Sequence, residues 1–182
     1  ANNLLPEHLE LRHYSIEENY MFLIAKLNNK ETTLVERARK DLGNYGGIYI
    51  DIFPLDNAPD SLIKRKINFG IINIIRKVTN IHFETFDFAR RPTVSKAKAF
   101  IKYITCKKKL LNLLDYFTTL YNKTNTNYIA NYFGRWLEKE IMECSIIGEP
   151  ILYEFEGKSF YGVEKPHEYL QNLYGNYMEE PP

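Results

Sequence analysis

The sequence is poor in the features that mark secreted and membrane-spanning proteins. Its 182 residues include only two cysteines, Cys106 and Cys144, which lie far apart and form no C-x-x-C pair. Two such thiols fit a reducing compartment, and a disulfide between them stays an alternative. No apolar run approaches the roughly 20 residues that a membrane-spanning helix needs, and the N-terminus lacks the basic-then-apolar pattern of a signal peptide. We therefore expect a soluble, cytoplasmic protein.

The common catalytic signatures are absent as well. The sequence contains no P-loop, no G-x-G-x-x-G, no H-E-x-x-H and no G-x-S-x-G. Its four histidines, at positions 8, 13, 82 and 167, have no metal-site spacing. The formal net charge of +1 favours neither a nucleic-acid partner nor an acidic tail. The sequence therefore gives no support for a nucleotide-binding protein with a P-loop or a G-x-G-x-x-G motif, for a zinc protease or for a serine hydrolase.

What the sequence does contain predicts an α+β protein. A hydrophobic content of 45% is enough for a substantial core, most simply in one domain. We predict a strand zone over 1–59, a helical zone over 60–123 and a mixed strand and helix zone over 124–182. Apolar residues at three- and four-residue spacing predict a helix from Leu62 to Val78. The other predicted elements are helical residues 95–121, broken near Thr105–Cys106, strands over 128–133 and 151–155, and a final helix that begins near Pro166.

The most informative segment is Gly46–Asp56, because it carries an acid inside an apolar strand. Isoleucines and aromatic residues on both sides of Asp51 predict a strand that is covered on both faces. A carboxylate buried there needs a cation, a metal ion or several hydrogen bonds. Asp51 is therefore a candidate catalytic residue or metal ligand, or else a hydrogen-bonded structural carboxylate. Asp56 follows five residues later and is either a second metal ligand or a turn residue.

A second feature is the basic segment 90–109, which contains no acidic residue. It is either a solvated helix face or a surface for an anionic partner, such as a phosphate-bearing substrate, an acidic glycan or, as a peripheral contact, an anionic membrane leaflet. Nucleic acid is not favoured, because the Gly-aromatic signatures of RNA-binding modules are missing. The eight basic residues are Arg90, Arg91, Lys96, Lys98, Lys102, Lys107, Lys108 and Lys109.

Three motifs resemble a known family. The segment Gly47–Asp56 reads G-I-Y-I-D-I-F-P-L-D and resembles the D-I-F-P-L-D signature of LicD-type phosphocholine transferases. The sequence Y-E-F-E-G at 153–157, followed by P-H-E-Y-L at 166–170, is similar to a second family motif. The third is L-Y-G-N-Y-M at 173–178, ahead of the two final prolines. Their order and spacing, across residues 46–182, make the chain similar to this family.

The resemblance implies a fold, a reaction and a set of residues. It implies a partial nucleotidyltransferase-like fold, as in the fukutin-related enzymes, with a mixed sheet and a central helical insertion. Such enzymes transfer phosphocholine from a CDP-choline-like donor to a sugar of a cell-surface glycan, such as lipopolysaccharide or teichoic acid. A divalent metal, Mg²⁺ or Mn²⁺, would bridge the pyrophosphate. The residues implied are Asp51 (catalysis and metal) and Asp56 (metal). Glu156 is a donor or acceptor contact or else a surface strand carboxylate, and Tyr174, Gly175 and Tyr177 either line a choline site, through cation–π contact, or pack the terminal helix. Lys26 and Arg37, outside the three motifs, are either phosphate contacts or solvated side chains.

One departure from the family pattern shapes these expectations. Family members carry an acidic cluster of the form W-D-D-D-I-D upstream of the matching region, and this sequence contains none. We therefore expect an incomplete form of the enzyme that lacks its N-terminal metal-binding segment. Two alternatives stay open. The chain is a catalytically inactive relative that binds nucleotide or glycan or pairs with an active subunit, or it is an unrelated α+β interaction domain.

Overall fold

The computed structural model describes residues 4–17, 20, 23–35, 46–84, 89 and 91–179. The chain forms two compact units, Ala1–Pro54 and Leu55–Pro182. The first unit contains a three-stranded antiparallel sheet with the order β1 (Leu9–Arg12), β2 (Ala25–Asn29) and β3 (Tyr49–Ile52). The middle strand β2 is the best covered, since Lys26 and Asn28 are buried on it.

The burial that the sequence predicts for the Asp51 strand is wrong. Ile50 is 67% exposed and Ile52 is 44% exposed, and Asp51 is exposed between them. The reason is the position of β3 in its sheet, where it pairs with β2 on one side only. Apolar residues on both faces of a strand are typical of a buried strand, but they are buried only if other elements pack against both faces.

The second unit contains the helices α1 (Leu62–Ile81), α2 (Pro92–Ile104), α3 (Lys107–Thr119), α4 (Cys144–Ile147) and α5 (Pro166–Tyr174). The central helical zone, its break at Thr105–Cys106 and the helix start at Pro166 are confirmed. Helices α1 and α3 pack together and bury one apolar side each, which includes Phe69, Ile72, Ile75, Leu111 and Leu114. No helix among the described residues is long and apolar enough to cross a membrane.

The strands of the second unit form two further sheets. β4 (Asp56–Ala58), β5 (Tyr128–Ala130) and β6 (Ile141–Glu143) pair in that order, and β7 (Ile151–Phe155) pairs with β8 (Lys158–Gly162) as a hairpin. Every strand pair in the described part of the chain is antiparallel. The α+β class is confirmed, whereas the expected mixed sheet is wrong for these residues, which form three separate antiparallel sheets. The nucleotidyltransferase-like fold stays a prediction.

Candidate functional site

Asp51 forms an ion pair with Lys26 across the first sheet. The two residues are register partners on β3 and β2, and Lys26 Nζ lies 3.1 Å from Asp51 Oδ1. The same Nζ lies 3.2 Å from the centroid of the Tyr49 ring, in cation–π geometry. Lys26 is buried. The exposed carboxylate of Asp51 is therefore paired with a buried lysine, which the sequence suggested as a phosphate contact.

The two glycines before β3 let its backbone approach the end of β2. A Cβ placed on Gly47 would lie 1.7 Å from the backbone oxygen of Asn29, so no other residue fits there without a shift of the main chain. A Cβ on Gly46 would lie 3.0 Å from Asn28 Nδ2. Asn28 is buried, and its Oδ1 has no hydrogen-bond partner in the described part of the chain. The Gly-Gly pair therefore fixes where β3 begins, and with it the position of Asp51.

Asp56 anchors β4 in the second unit. It lies in the strand rather than in a turn, and its buried carboxylate accepts a hydrogen bond of 2.7 Å from Asn122 Nδ2. Asn122 Oδ1 in turn accepts the backbone N–H of Asn57 at 2.8 Å. Burial raises the pKa of Asp56, and the hydrogen bond from Asn122 opposes that shift. This environment suits a structural carboxylate, and a role for Asp56 as a metal ligand stays a prediction.

The described carboxylates do not by themselves fit a divalent metal. Mg²⁺ and related ions are bound by several oxygen ligands, of which carboxylates supply the charge. Within the described ranges no group of three or more His, Cys, Asp or Glu side chains is arranged to hold a metal ion. Asp51 is already neutralised by Lys26, and Asp56 is engaged by Asn122. We derive no chemical step through a metal from these residues.

Glu156 lies at the tip of the β7–β8 hairpin. Glu156 and Gly157 both have positive φ, 51° and 73°. Two consecutive residues of this kind form the tight type I′ turn that joins strands with a right-handed twist. Glu156 is exposed, and its contact with a donor or acceptor stays a prediction.

Tyr174, at the end of α5, forms a partly exposed aromatic pair with Trp136. The ring centroids are 5.2 Å apart and the ring planes meet at 82°, an edge-to-face arrangement. Two exposed cations flank the pair, with Arg135 Cζ and Lys139 Nζ each 6.0 Å from the centroid of the Trp136 ring. We call Trp136, Tyr174, Arg135 and Lys139 the aromatic corner.

Hydrogen bonds fix the geometry of the aromatic corner. The buried carboxylate of Glu140 accepts the backbone N–H of Trp136 at 3.2 Å. Asn172 of α5 donates through Nδ2 to the backbone oxygen of Lys139 at 2.5 Å, which ties this segment to the helix. The helix ends at Gly175 with φ of 72°, a conformation that glycine adopts without strain. The corner is therefore held in place by its neighbours on both chain segments.

The structure separates the residues that the sequence grouped at the end of α5. Tyr174 contacts Trp136, whereas the hydroxyl of Tyr177 lies 2.9 Å from His167 Nδ1, and Gly175 ends the helix. Arg37 lies outside the described residues. Sequence reasoning missed Trp136, since a tryptophan 38 positions before Tyr174 shares no periodic pattern with it. Its being the single tryptophan in the chain was the one available signal.

Comparison with known proteins finds a distant similarity along most of the chain. The lipopolysaccharide cholinephosphotransferase LicD of Haemophilus influenzae is 24% identical to this chain over an alignment of 193 positions with gaps, which covers 93% of this chain and 66% of the relative. The chain therefore spans slightly less than two thirds of that relative's length. No protein-family model matches the chain, and no solved structure matches it.

Proposed function

We propose that this chain is the larger part of a LicD-like phosphotransferase, which transfers a phosphocholine-type group from a CDP-activated donor to a sugar of a cell-surface glycan. The similarity to the lipopolysaccharide cholinephosphotransferase supports this proposal, because it extends along nearly the whole chain. The three family-like motifs also support it, because their order and spacing match the family, whereas a single short match could arise by chance.

The observation that carries the proposal is the aromatic corner. A quaternary ammonium binds against the faces of aromatic rings, and Trp136 and Tyr174 offer two partly exposed rings. Arginine and lysine bind phosphate through charge-assisted hydrogen bonds, and Arg135 and Lys139 lie beside the Trp136 ring. A phosphocholine group carries one charge of each sign, so the corner matches both of its ends.

Transfer itself would exchange the phosphoanhydride bond of the donor for a phosphate ester bond to the sugar. The sugar hydroxyl oxygen would bond to phosphorus, the bond from phosphorus to CMP would break, and the hydroxyl proton would pass to a base. Asp51 is our proposed catalytic carboxylate, with Asp56 as a second metal ligand and Lys26, Arg37 and Glu156 as further contacts. Since the described carboxylates do not complete a metal site, we assign the chain binding and orientation of the phosphocholine group.

One observation favours a second candidate function, that of an inactive relative that binds the nucleotide donor. The ion pair with Lys26 already neutralises Asp51. Such a protein would bind a CDP-activated alcohol without turnover.

Tryptophan fluorescence tests the proposal, because Trp136 is the only tryptophan in the chain. We expect saturable quenching with CDP-choline and a weaker or absent response to CMP. Tyr174→Ala should weaken CDP-choline binding by about two- to fivefold, since a cation–π contact at an exposed site contributes about 0.5–1 kcal/mol. Tyr174→Phe keeps the ring and should bind like the parent chain.

The matched control for Tyr174→Ala is Tyr161→Ala, which removes an exposed tyrosine from the hairpin. Equal responses to CMP and CDP-choline, or equal losses in the two alanine variants, would overturn the assignment of the corner. Choline transfer to an acceptor glycan is therefore measured on the full-length parent protein, where transfer would favour the transferase and donor binding without transfer would favour the inactive relative.

A further inference from the structure

Helix α2 directs an apolar face outward. At about 100° per residue, Val94, Phe100 and Ile104 fall within one side of the helix. They are 51%, 62% and 59% exposed, respectively. Ser95, on another side, is the buried residue of the helix, and α2 packs against α1. A surface helix normally buries its apolar face, so α2 is oriented the opposite way.

Positive charge surrounds this apolar face. No acidic residue occurs from Arg91 to Leu114. Lys96 on α2 and Lys108 and Lys109 in the first turn of α3 are all exposed, while Lys98 forms an ion pair with Glu84. Next to these helices, partial burial and the charges of Lys102 and Lys107 lower the pKa of His82. Among the residues that the structure describes from Glu84 to Leu114, the charge around α2 is therefore positive, apart from Glu84 itself.

We propose that α2 and the first turn of α3 form a docking surface for an anionic lipid bilayer. Phe100, Ile104 and Val94 would enter the interface between headgroups and acyl chains, and the lysines would contact the lipid phosphates. A basic helix with an outward apolar face is the pattern of helices that lie in a membrane surface. The attraction of exposed lysines to an anionic leaflet adds to the burial of the apolar side chains. This proposal is independent of the proposed function.

The combination of the two features favours lipid over other partners. A nucleic acid or an acidic glycan would engage the lysines but would leave Phe100 and Ile104 in water. Apolar exposure alone is not the signal, because the β7–β8 hairpin also exposes Leu152 and Phe160, at 56% and 53%. That hairpin and its flanks, residues 149–164, carry four glutamates and one lysine. An anionic bilayer would repel the hairpin and attract α2.

Sedimentation with lipid vesicles tests this docking surface. We expect the chain to bind vesicles that contain phosphatidylglycerol, to bind pure phosphatidylcholine vesicles far more weakly, and to be released in part between about 0.1 M and about 1 M salt. Lys96→Glu with Lys108→Glu should reduce binding at least about tenfold. Phe100→Ser with Ile104→Ser should reduce it by a similar factor, through loss of apolar burial.

Matched control variants distinguish binding through this surface from non-specific adsorption to vesicles. Lys123→Glu with Lys158→Glu changes the same net charge elsewhere, and Phe160→Ser with Leu152→Ser removes equally exposed apolar groups from the hairpin. Both controls should bind like the parent chain, and circular dichroism should confirm that all variants fold.

Absent binding by the parent chain would overturn the proposal. So would losses equal to those of the controls, or unchanged binding in Phe100→Ser with Ile104→Ser. A parent chain that dimerises through α2 instead of binding vesicles would show that a second copy is the occupant.

Discussion

At the scale of single residues, the sequence singles out Asp51 but does not identify the residue that forms an ion pair with it. The apolar neighbours of Asp51 imply a buried charge that requires compensation, whereas the structure leaves Asp51 exposed and pairs it with the buried Lys26, which also contacts Tyr49. The partner was beyond prediction because the register of β2 against β3 depends on the connecting segment and the Gly46–Gly47 approach. Trp136 was missed for the same reason, since its contact with Tyr174 depends on how distant chain segments pack.

Tyr132 provides a test of a buried polar contact. Its hydroxyl accepts a hydrogen bond of 3.2 Å from the buried Asn68 Nδ2, and burial raises the pKa of Tyr132 to about 12. The folded state therefore holds the phenolic proton more tightly than the unfolded chain does. That contribution to stability is complete below the unfolded pKa of about 10 and is lost as the pH rises through about 12.

We predict that Tyr132→Phe costs about 1 kcal/mol of unfolding free energy near pH 9, because Asn68 loses an acceptor. Between about pH 10 and about pH 12 the parent chain should lose roughly 2 kcal/mol relative to this variant. Urea unfolding at several pH values measures the difference, with Tyr161→Phe as an exposed control. A stability difference between parent and variant that does not change with pH would contradict the account.

At the scale of elements, boundaries were predictable where the signal is local. The periodicity of α1, the break between α2 and α3, and Pro166 at the start of α5 are all confirmed, because each depends on neighbouring residues. The covering of β3 and the orientation of α2 were not predictable. An apolar pattern identifies which face of an element is apolar, and only the tertiary structure decides whether that face is packed.

The hairpin turn allows a prediction at this scale. Glu156 adopts a left-handed conformation that asparagine adopts with less strain than glutamate does. Glu156→Asn should therefore stabilise the hairpin by about 0.5 kcal/mol. Gly157→Ala should destabilise it by about 1 kcal/mol, for conformational reasons alone, because the added Cβ would meet no atom within 4 Å.

Amide hydrogen exchange across the β7–β8 pairs measures both effects on the turn. Glu154→Asn, in the strand, is the control for the change of side chain. If the two glutamate-to-asparagine variants alter exchange equally, the effect does not come from the turn conformation. The exchange measurement is separate from any contact of Glu156 with substrate.

At the scale of the whole molecule, the core is unevenly divided. Tyr20 is the one fully buried apolar residue found in the described part of the first unit, whereas the second unit buries residues from α1, α3, β4, β5, β6 and α5. Burial of apolar surface is the main favourable contribution to folding. Among the described residues, the second unit therefore contains most of the buried apolar side chains.

We predict that residues 55–182 fold on their own and that residues 1–54 do not. The piece 55–182 should show a helical circular dichroism spectrum and a cooperative thermal transition. Leu114→Ala in that piece should remove about 3 kcal/mol, as expected for a fully buried leucine. The exposed Leu113→Ala is the control and should cost much less. A helical spectrum without a cooperative transition would contradict the prediction.

The close contact at Gly47 restricts which residues are tolerated at position 47. The carbonyl of Asn29 occupies the space that any side chain at position 47 would need. A descendant that keeps the β2–β3 pairing must therefore keep glycine there, whatever happens to its chemistry. Loss of Asp51 would change an ion pair, but loss of Gly47 would change where the strand begins. The fold therefore constrains position 47 more tightly than position 51.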